Sequence, residues 1–130
     1  MDGHKTPAGP ILVVDDDPDL LEMVELVLER ADYTVVPAMN GVEALKRVQE
    51  SHPALILLDM KMPVMDGWEF MARYHRIYDR ASPVVVLTAA QDARAWAEQV
   101  QADGYLAKPF DISDLLTVVE KHIRAARTRP

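Results

Sequence analysis

Five short apolar runs punctuate the chain: ILVV at 11–14, TVVP at 34–37, ALILLD at 54–59, PVVVLT at 83–88 and a weaker GYLA at 104–107. Short runs rich in Val and Ile have the length and composition of strands. Their apolar character is nearly continuous instead of alternating, which predicts a sheet covered on both faces. Between them, apolar residues recur at three- and four-residue spacing, the period of a helix with one buried stripe. Residues 18–31 place Leu20, Leu21, Val24, Leu28 and Ala31 on one stripe. Asn40 is placed to cap a helix to about residue 50, with Val42, Leu45 and Val48 inward. Asp66 is placed to cap a third, starting at Gly67. Residues 92–100 and 112–126 supply two more, the last with Ile112, Leu115, Leu116, Val119 and Ile123 on its stripe. The order βαβαβαβαβα predicts an α/β fold, a doubly wound five-stranded parallel sheet with five helices and right-handed crossovers.

The 130 residues suit one domain with enough material for one core. Residues 1–9 read as a disordered lead, 10–126 as the domain and 127–130 as a tail. A net charge of −7 weighs against direct nucleic-acid binding. Cysteine is absent, which removes thiolate and disulfide chemistry and suits a cytoplasmic setting. The apolar runs are too short to span a membrane, and MDGHKTPAGP lacks the apolar segment of a signal peptide. At the other end, Lys121, Arg124, Arg127 and Arg129 stand without an acid in KHIRAARTRP. That pattern is a helix end with favourable cations, or a stub leading onward.

The first strand runs straight into Asp15, Asp16 and Asp17, three carboxylates that repel one another. In open α/β sheets, ligands bind beyond the carboxyl ends of the strands. Asp15 and Asp16 follow the first strand, Asp59 closes the third, Thr88 closes the fourth and Lys108 follows the fifth. Converging carboxylates call for a cation, and Mg²⁺ takes oxygen ligands of this kind. Lys108 adds a compact positive charge suited to phosphoryl oxygens, and Thr88 a hydroxyl donor. Such a set describes phosphoryl transfer to an aspartate. Singly, each residue has an ordinary reading: a helix cap for Asp17 and Asp19, a solvated loop acid for Asp59, a strand residue for Thr88, a turn for Lys108. The ordered set at one sheet edge does not.

ILVVDDDP, LILLDMKMPVMDGWEF, VVVLTAA and GYLAKPF together resemble the receiver domain of bacterial two-component response regulators, over about residues 10 to 125. The resemblance implies a flavodoxin-like sheet in the order 2-1-3-4-5. It makes Asp59 the phospho-acceptor, and Asp15, Asp16, Asp59 and the backbone carbonyl of Lys61 the Mg²⁺ ligands. Thr88, Ala89 and Lys108 then stabilise the phosphoryl group, Thr88 and Tyr105 form the switch, and the bond before Pro109 is cis. Lys61 and Ala90 occupy positions that tune how fast the acyl phosphate forms and decays. Gln101 stands where the family often has Gly. The implied partners are a sensor histidine kinase or histidine phosphotransfer protein, and a downstream protein or homodimer contact on the face of Tyr105, with neither nucleic acid nor membrane.

The function implied is a phosphorylation-dependent switch, not a conventional enzyme. The alternatives are a phosphate sink or relay, or a non-switching interaction module. A phosphohydrolase of the haloacid dehalogenase kind wants a second acid two residues after the nucleophile, where this chain has Lys61. His4, His52, His75 and His122 fall in no ligand spacing and read as surface residues. Trp68 reads as a cover for the sheet edge, and Trp96 as packing with Ala93, Ala97 and Val100.

Overall fold

The apolar runs pair as parallel strands in the computed structural model, which describes residues 9–78 and 81–127, with side chains through Ala125. In chain order the elements are β1 (Ile11–Val14), α1 (Pro18–Arg30), β2 (Val35–Ala38), α2 (Gly41–Ser51), β3 (Leu55–Asp59), α3 (Gly67–Tyr78), β4 (Val84–Ala89), α4 (Ala90–Gln99), β5 (Gly104–Lys108) and α5 (Ile112–Arg127). The sheet order is β2-β1-β3-β4-β5. Most of the expected lead, 1–8, and the end of the tail, 128–130, lie outside the described residues. So does His4. Gly9 is already packed: a Cβ there would stand 2.3 Å from the His52 carbonyl oxygen.

Strand side chains alternate between two cores. Leu12, Val14, Ile56, Leu58, Val84 and Val86 face α2, α3 and α4, meeting Ala44, Val48, Phe70, Met71, Tyr74 and Ala97. Ile11, Val13, Leu55, Leu57, Val85 and Leu87 face α1 and α5, meeting Leu21, Val24, Leu28, Leu115, Val119 and Ile123. Both faces are therefore buried, which is why the strands read as continuous apolar runs. Among the described residues no helix is long and apolar enough to cross a membrane.

The caps are local chemistry. Asp17 accepts the Asp19 N–H at 3.0 Å, and Pro18 opens α1. Asp19 is not itself a cap; it lies in the first turn, where an acid complements the helix dipole. Asn40 accepts from Glu43 N–H while Glu43 reaches back to accept from Met39 N–H, both at 2.9 Å, a relative of the capping box in which the acid takes the N–H just before the cap residue. Asp66 accepts from Glu69 N–H at 2.9 Å.

Several expectations are corrected. Ala31 ends α1 as its C-cap and is exposed. Val42 faces solvent because Gly41, Ala44 and Val48 form the buried stripe, with Gly41 pressed against the Met65 side chain. Ile112, the first residue of α5 after the carboxyl end of β5, is exposed. α4 starts at Ala90, two residues early, since β4 runs to Ala89 and passes directly into it. His122 is buried: its ring lies over Gly104, where a Cβ would come within 2.7 Å of Nε2, and Nδ1 stands 2.8 Å from the Val118 carbonyl oxygen. His75 is half-buried, with Nε2 3.2 Å from the Val100 carbonyl oxygen. A histidine's apolar ring body fills such gaps once one nitrogen finds a backbone partner, which spacing along the chain does not reveal.

Candidate functional site

Strand register brings the polar residues together. Val14 pairs with Leu58, so the next residues, Asp15 and Asp59, emerge side by side at the carboxyl edge. Asp59 pairs with Leu87, which puts Thr88 one step beyond, and Ala89 pairs with Lys108. Asp15 is 1% exposed, Asp59 and Thr88 are buried, and Asp16 is exposed. One carboxylate oxygen from each of Asp15, Asp16 and Asp59 lies within 4.8 Å of the others.

Asp15 is held at both oxygens: Oδ1 accepts the Asp17 N–H at 2.9 Å and Oδ2 accepts the Lys108 ammonium at 2.7 Å. Its own N–H donates to the Ala38 carbonyl, continuing the β1–β2 ladder past Val14. Lys108 also stands 3.5 Å from Asp59 Oδ1. One lysine therefore faces a cluster carrying three negative charges. Burial, reinforced by the charge of Asp15 and against the pull of Lys108, raises the Asp59 pKa from its ordinary 3.8 to about 6. Burial would lower the Lys108 pKa, but the Asp15 hydrogen bond and the charges of Asp15 and Asp59 outweigh it, and the net direction is upward. Three converging oxygen donors with an uncompensated charge fit a hard divalent cation.

A family model for the response regulator receiver domain matches residues 11–120. The chain belongs to the response regulator receiver family. It is similar to the transcriptional regulatory protein PrrA of Mycobacterium tuberculosis, 39% identical over 88% of this chain and 49% of that protein. It is also similar to sporulation initiation phosphotransferase F of Bacillus subtilis, 35% identical over 87% of this chain and 92% of that protein. The chain spans about half the length of the first curated regulators that it matches. Among solved structures, the CheY-like receiver domain protein of Methanospirillum hungatei superposes with a TM-score of 0.81 at 28% identity, covering 91% of this chain and 95% of that one. Chemotaxis response regulator CheY4 of Vibrio cholerae gives 0.80 at 31%, covering 90% and 98%.

Around this receiver site the remaining candidates spread out. The Lys108–Pro109 bond is cis. Ala89 is exposed at the end of β4, beside an apolar recess lined by Leu20, Met23, Lys108, Pro109 and Phe110. Tyr105 is 46% exposed on β5, paired with Val86 two residues short of the buried Thr88. Gln101 holds a left-handed φ of 57° after α4, the conformation in which Gly costs least. Gly67 lets α3 close on the end of β3: its N–H donates to the Met60 carbonyl at 2.9 Å, and a Cβ would stand 2.7 Å from Met60 Cα.

Spacing gave no sign of two features. The Lys61 ammonium lies over the ring of Trp96. Val64, on the loop leaving Asp59, has a φ of 71°, and Met65 N–H donates to the Pro63 carbonyl at 2.8 Å around it. This is a tight three-residue turn that strains a β-branched residue. Val64 is 79% exposed, so its side chain contributes little packing in return. Val64→Gly is expected to stabilise the domain by about 0.5–1 kcal/mol, the relief of strain less the extra freedom of glycine in the unfolded chain. Urea unfolding checks this as a raised midpoint at unchanged slope.

Proposed function

We propose that Asp59 is the phospho-acceptor of a cytoplasmic signalling switch, taking its phosphoryl group from a sensor histidine kinase or histidine phosphotransfer protein. The observation that carries this reading is the Asp59 carboxylate itself, buried at the end of a central strand between an acidic pair and Lys108. Its raised proton affinity makes it a stronger nucleophile than a solvated carboxylate, yet at neutral pH it remains mostly ionised. An Asp59 oxygen bonds to phosphorus as the phosphorus–nitrogen bond of the donor breaks, and the imidazole nitrogen keeps the electron pair. Asp15, Asp16, Asp59 and the Lys61 carbonyl would hold Mg²⁺, which when bound neutralises carboxylate and phosphoryl oxygens. Lys108 is placed to take a phosphoryl oxygen, Thr88 to donate its hydroxyl to another, and small Ala89 to leave room. The recess between α1 and Pro109–Phe110 offers the donor an apolar seat beside the site.

Drawing Thr88 toward the phosphoryl oxygens frees space near β5 for Tyr105 to turn inward, which makes the α4–β5–α5 face the regulated surface for a downstream protein or a second copy. A second reading, a relay that passes the phosphoryl group on, is favoured by the likeness to sporulation initiation phosphotransferase F. Acetyl phosphate with Mg²⁺ is expected to add one phosphoryl group, labile to hydroxylamine, on the peptide containing Asp59. Labelling at another residue would sink the assignment. Amide NMR with beryllofluoride separates the readings: a switch moves residues 88–108 and α5, and a relay moves only the shell around Asp59.

A further inference from the structure

Lys61 lies two residues beyond Asp59, and its ammonium is not drawn over the acidic cluster. Nζ stands 5.4 Å from the centroid of the Trp96 ring, within the range where an aromatic face attracts a cation. Trp96 is itself braced. Trp68 meets it edge to face at 4.7 Å and 65°, and the Trp68 indole N–H donates to Gln99 Oε1 at 3.1 Å. The first turn of α3, the flank of α4 and the loop leaving Asp59 therefore converge on one aromatic pair. Gly67 enforces part of this, because it seats α3 on Met60 and brings Trp68 to the start of the loop. Ala93 and Ala97 enforce the rest: they bury the inner face of α4 and leave half-buried Trp96 at its side.

The surrounding charge makes this placement informative. Asp15, Asp16 and Asp59 attract any mobile cation, and Lys108 offsets only part of their charge. The aromatic pair competes with that attraction for Lys61. Resting on the reading of Asp59 as phospho-acceptor, we infer that Trp96 is a positioning residue for Lys61. The ring parks the ammonium at the rim while Asp59 is free, and the ammonium crosses to the phosphoryl oxygens once Asp59 carries them. A phosphoryl oxygen offers Lys61 a charge-assisted hydrogen bond, stronger than an exposed cation–π contact. The departure uncovers a ring on α4. The state of Asp59 thus reaches α4 through Lys61 and Trp96, by a path separate from Thr88 and Tyr105. No bond forms or breaks beyond the phosphoryl transfer itself.

The first test starts from the metal-free wild-type protein. NMR of the wild-type protein with labelled lysine should show the Lys61 Cε protons displaced upfield by the indole ring. Trp96→Leu should return them to an ordinary position, and Trp96→Phe should leave part of the displacement. Mg²⁺ with beryllofluoride should abolish it in wild type. The second test is a double-mutant cycle read in acetyl phosphate kinetics. An unparked Lys61 folds onto the carboxylates and must be displaced by the donor. Trp96→Leu should therefore raise the half-saturating donor concentration roughly two- to five-fold, the size of an exposed cation–π contact, with the saturating rate changed less. In the Lys61→Met background, which keeps the backbone carbonyl, Trp96→Leu should have no such effect. Equal effects in both backgrounds, or undisplaced Cε protons in the metal-free wild type, would overturn the inference while Asp59 labelling stands. Absence of labelling in wild type would overturn the reading of Asp59, and the transfer of Lys61 with it.

Discussion

Asp59→Asn is expected to take up no phosphoryl group from acetyl phosphate and, without metal at pH 7, to unfold at a higher temperature than wild type. The first effect follows from the proposed role of Asp59, since an amide replaces the carboxylate that would attack phosphorus. The second follows from the burial of Asp59, with the charge of Asp15 beside it. Asp59 has a folded pKa of about 6 against an ordinary 3.8, so the folded state binds the proton more tightly than the unfolded chain. Well below pH 3.8 both states hold the proton and no penalty exists. Between pH 4 and 6 the unfolded chain ionises first, so stability falls as pH rises. Above about pH 6.5 the penalty is nearly complete, at about 2–3 kcal/mol. Asn has the same shape without the charge, so the variant's advantage should be near zero well below pH 3.8 and nearly full above about pH 6.5. At pH 7 it corresponds to a rise in Tm of roughly 5–10 °C. Mg²⁺ should raise the wild-type Tm by mass action and do so much less for Asp59→Asn, closing the gap. Calorimetry across pH, with and without Mg²⁺, checks each arm. A variant no more stable than wild type at pH 7 would mean that the cluster is relaxed without metal.

Lys108→Met should act in the opposite direction. Asp15 is 1% exposed, and its Oδ2 depends on the 2.7 Å bond to Lys108. Removing one partner of a buried pair strands the other charge. Lys108 is 29% exposed by side chain, so water replaces part of the loss, and the expected cost is about 2–3 kcal/mol at pH 7. Lys108 has its pKa raised by the acids, so in wild type its contribution is complete below 10.5 and is lost only as pH climbs through the higher folded value. In the variant Asp59 loses its opposing charge and binds a proton more readily still. The cost should therefore shrink as pH falls toward 6 and level off below it, where Asp59 holds its proton in both proteins. Asp59→Asn should stabilise the Lys108→Met background by more than it stabilises wild type, since Lys108 no longer offsets part of the Asp59 penalty there, a non-additivity expected of groups in one cluster. Urea midpoints of the two single variants and the double variant provide the measurement. Strict additivity would show that Lys108 and Asp59 do not interact in the folded protein.

The sheet and the acidic edge are legible in the sequence because both are written in local pattern. Valine- and isoleucine-rich runs such as PVVVLT state their double burial directly, since a strand covered on both faces has no polar positions to alternate. Asp17, Asn40 and Asp66 cap the helices that follow them, an interaction spanning no more than three residues. The parallel topology follows from alternation, and with it Asp15, Asp59, Thr88 and Lys108 all fall at one edge. What the chain does not state is which residues meet across distances its period cannot encode. Val42 and Ile112 keep helical spacing yet face solvent, because burial depends on what lies opposite and not on the stripe alone. His122 is buried because Gly104, on a different element, leaves room for its ring. Strand register decided that Asp15 and Asp59 share Lys108, and burial at that edge, reinforced by the charge of Asp15, raises the Asp59 pKa. The packing of α3 beside α4 decided that Lys61 lies over Trp96 instead of its neighbouring acids. Local chemistry thus determined the elements and the residue types at the site, while their distances and charge balance came from tertiary packing, because those energies depend on separation in space.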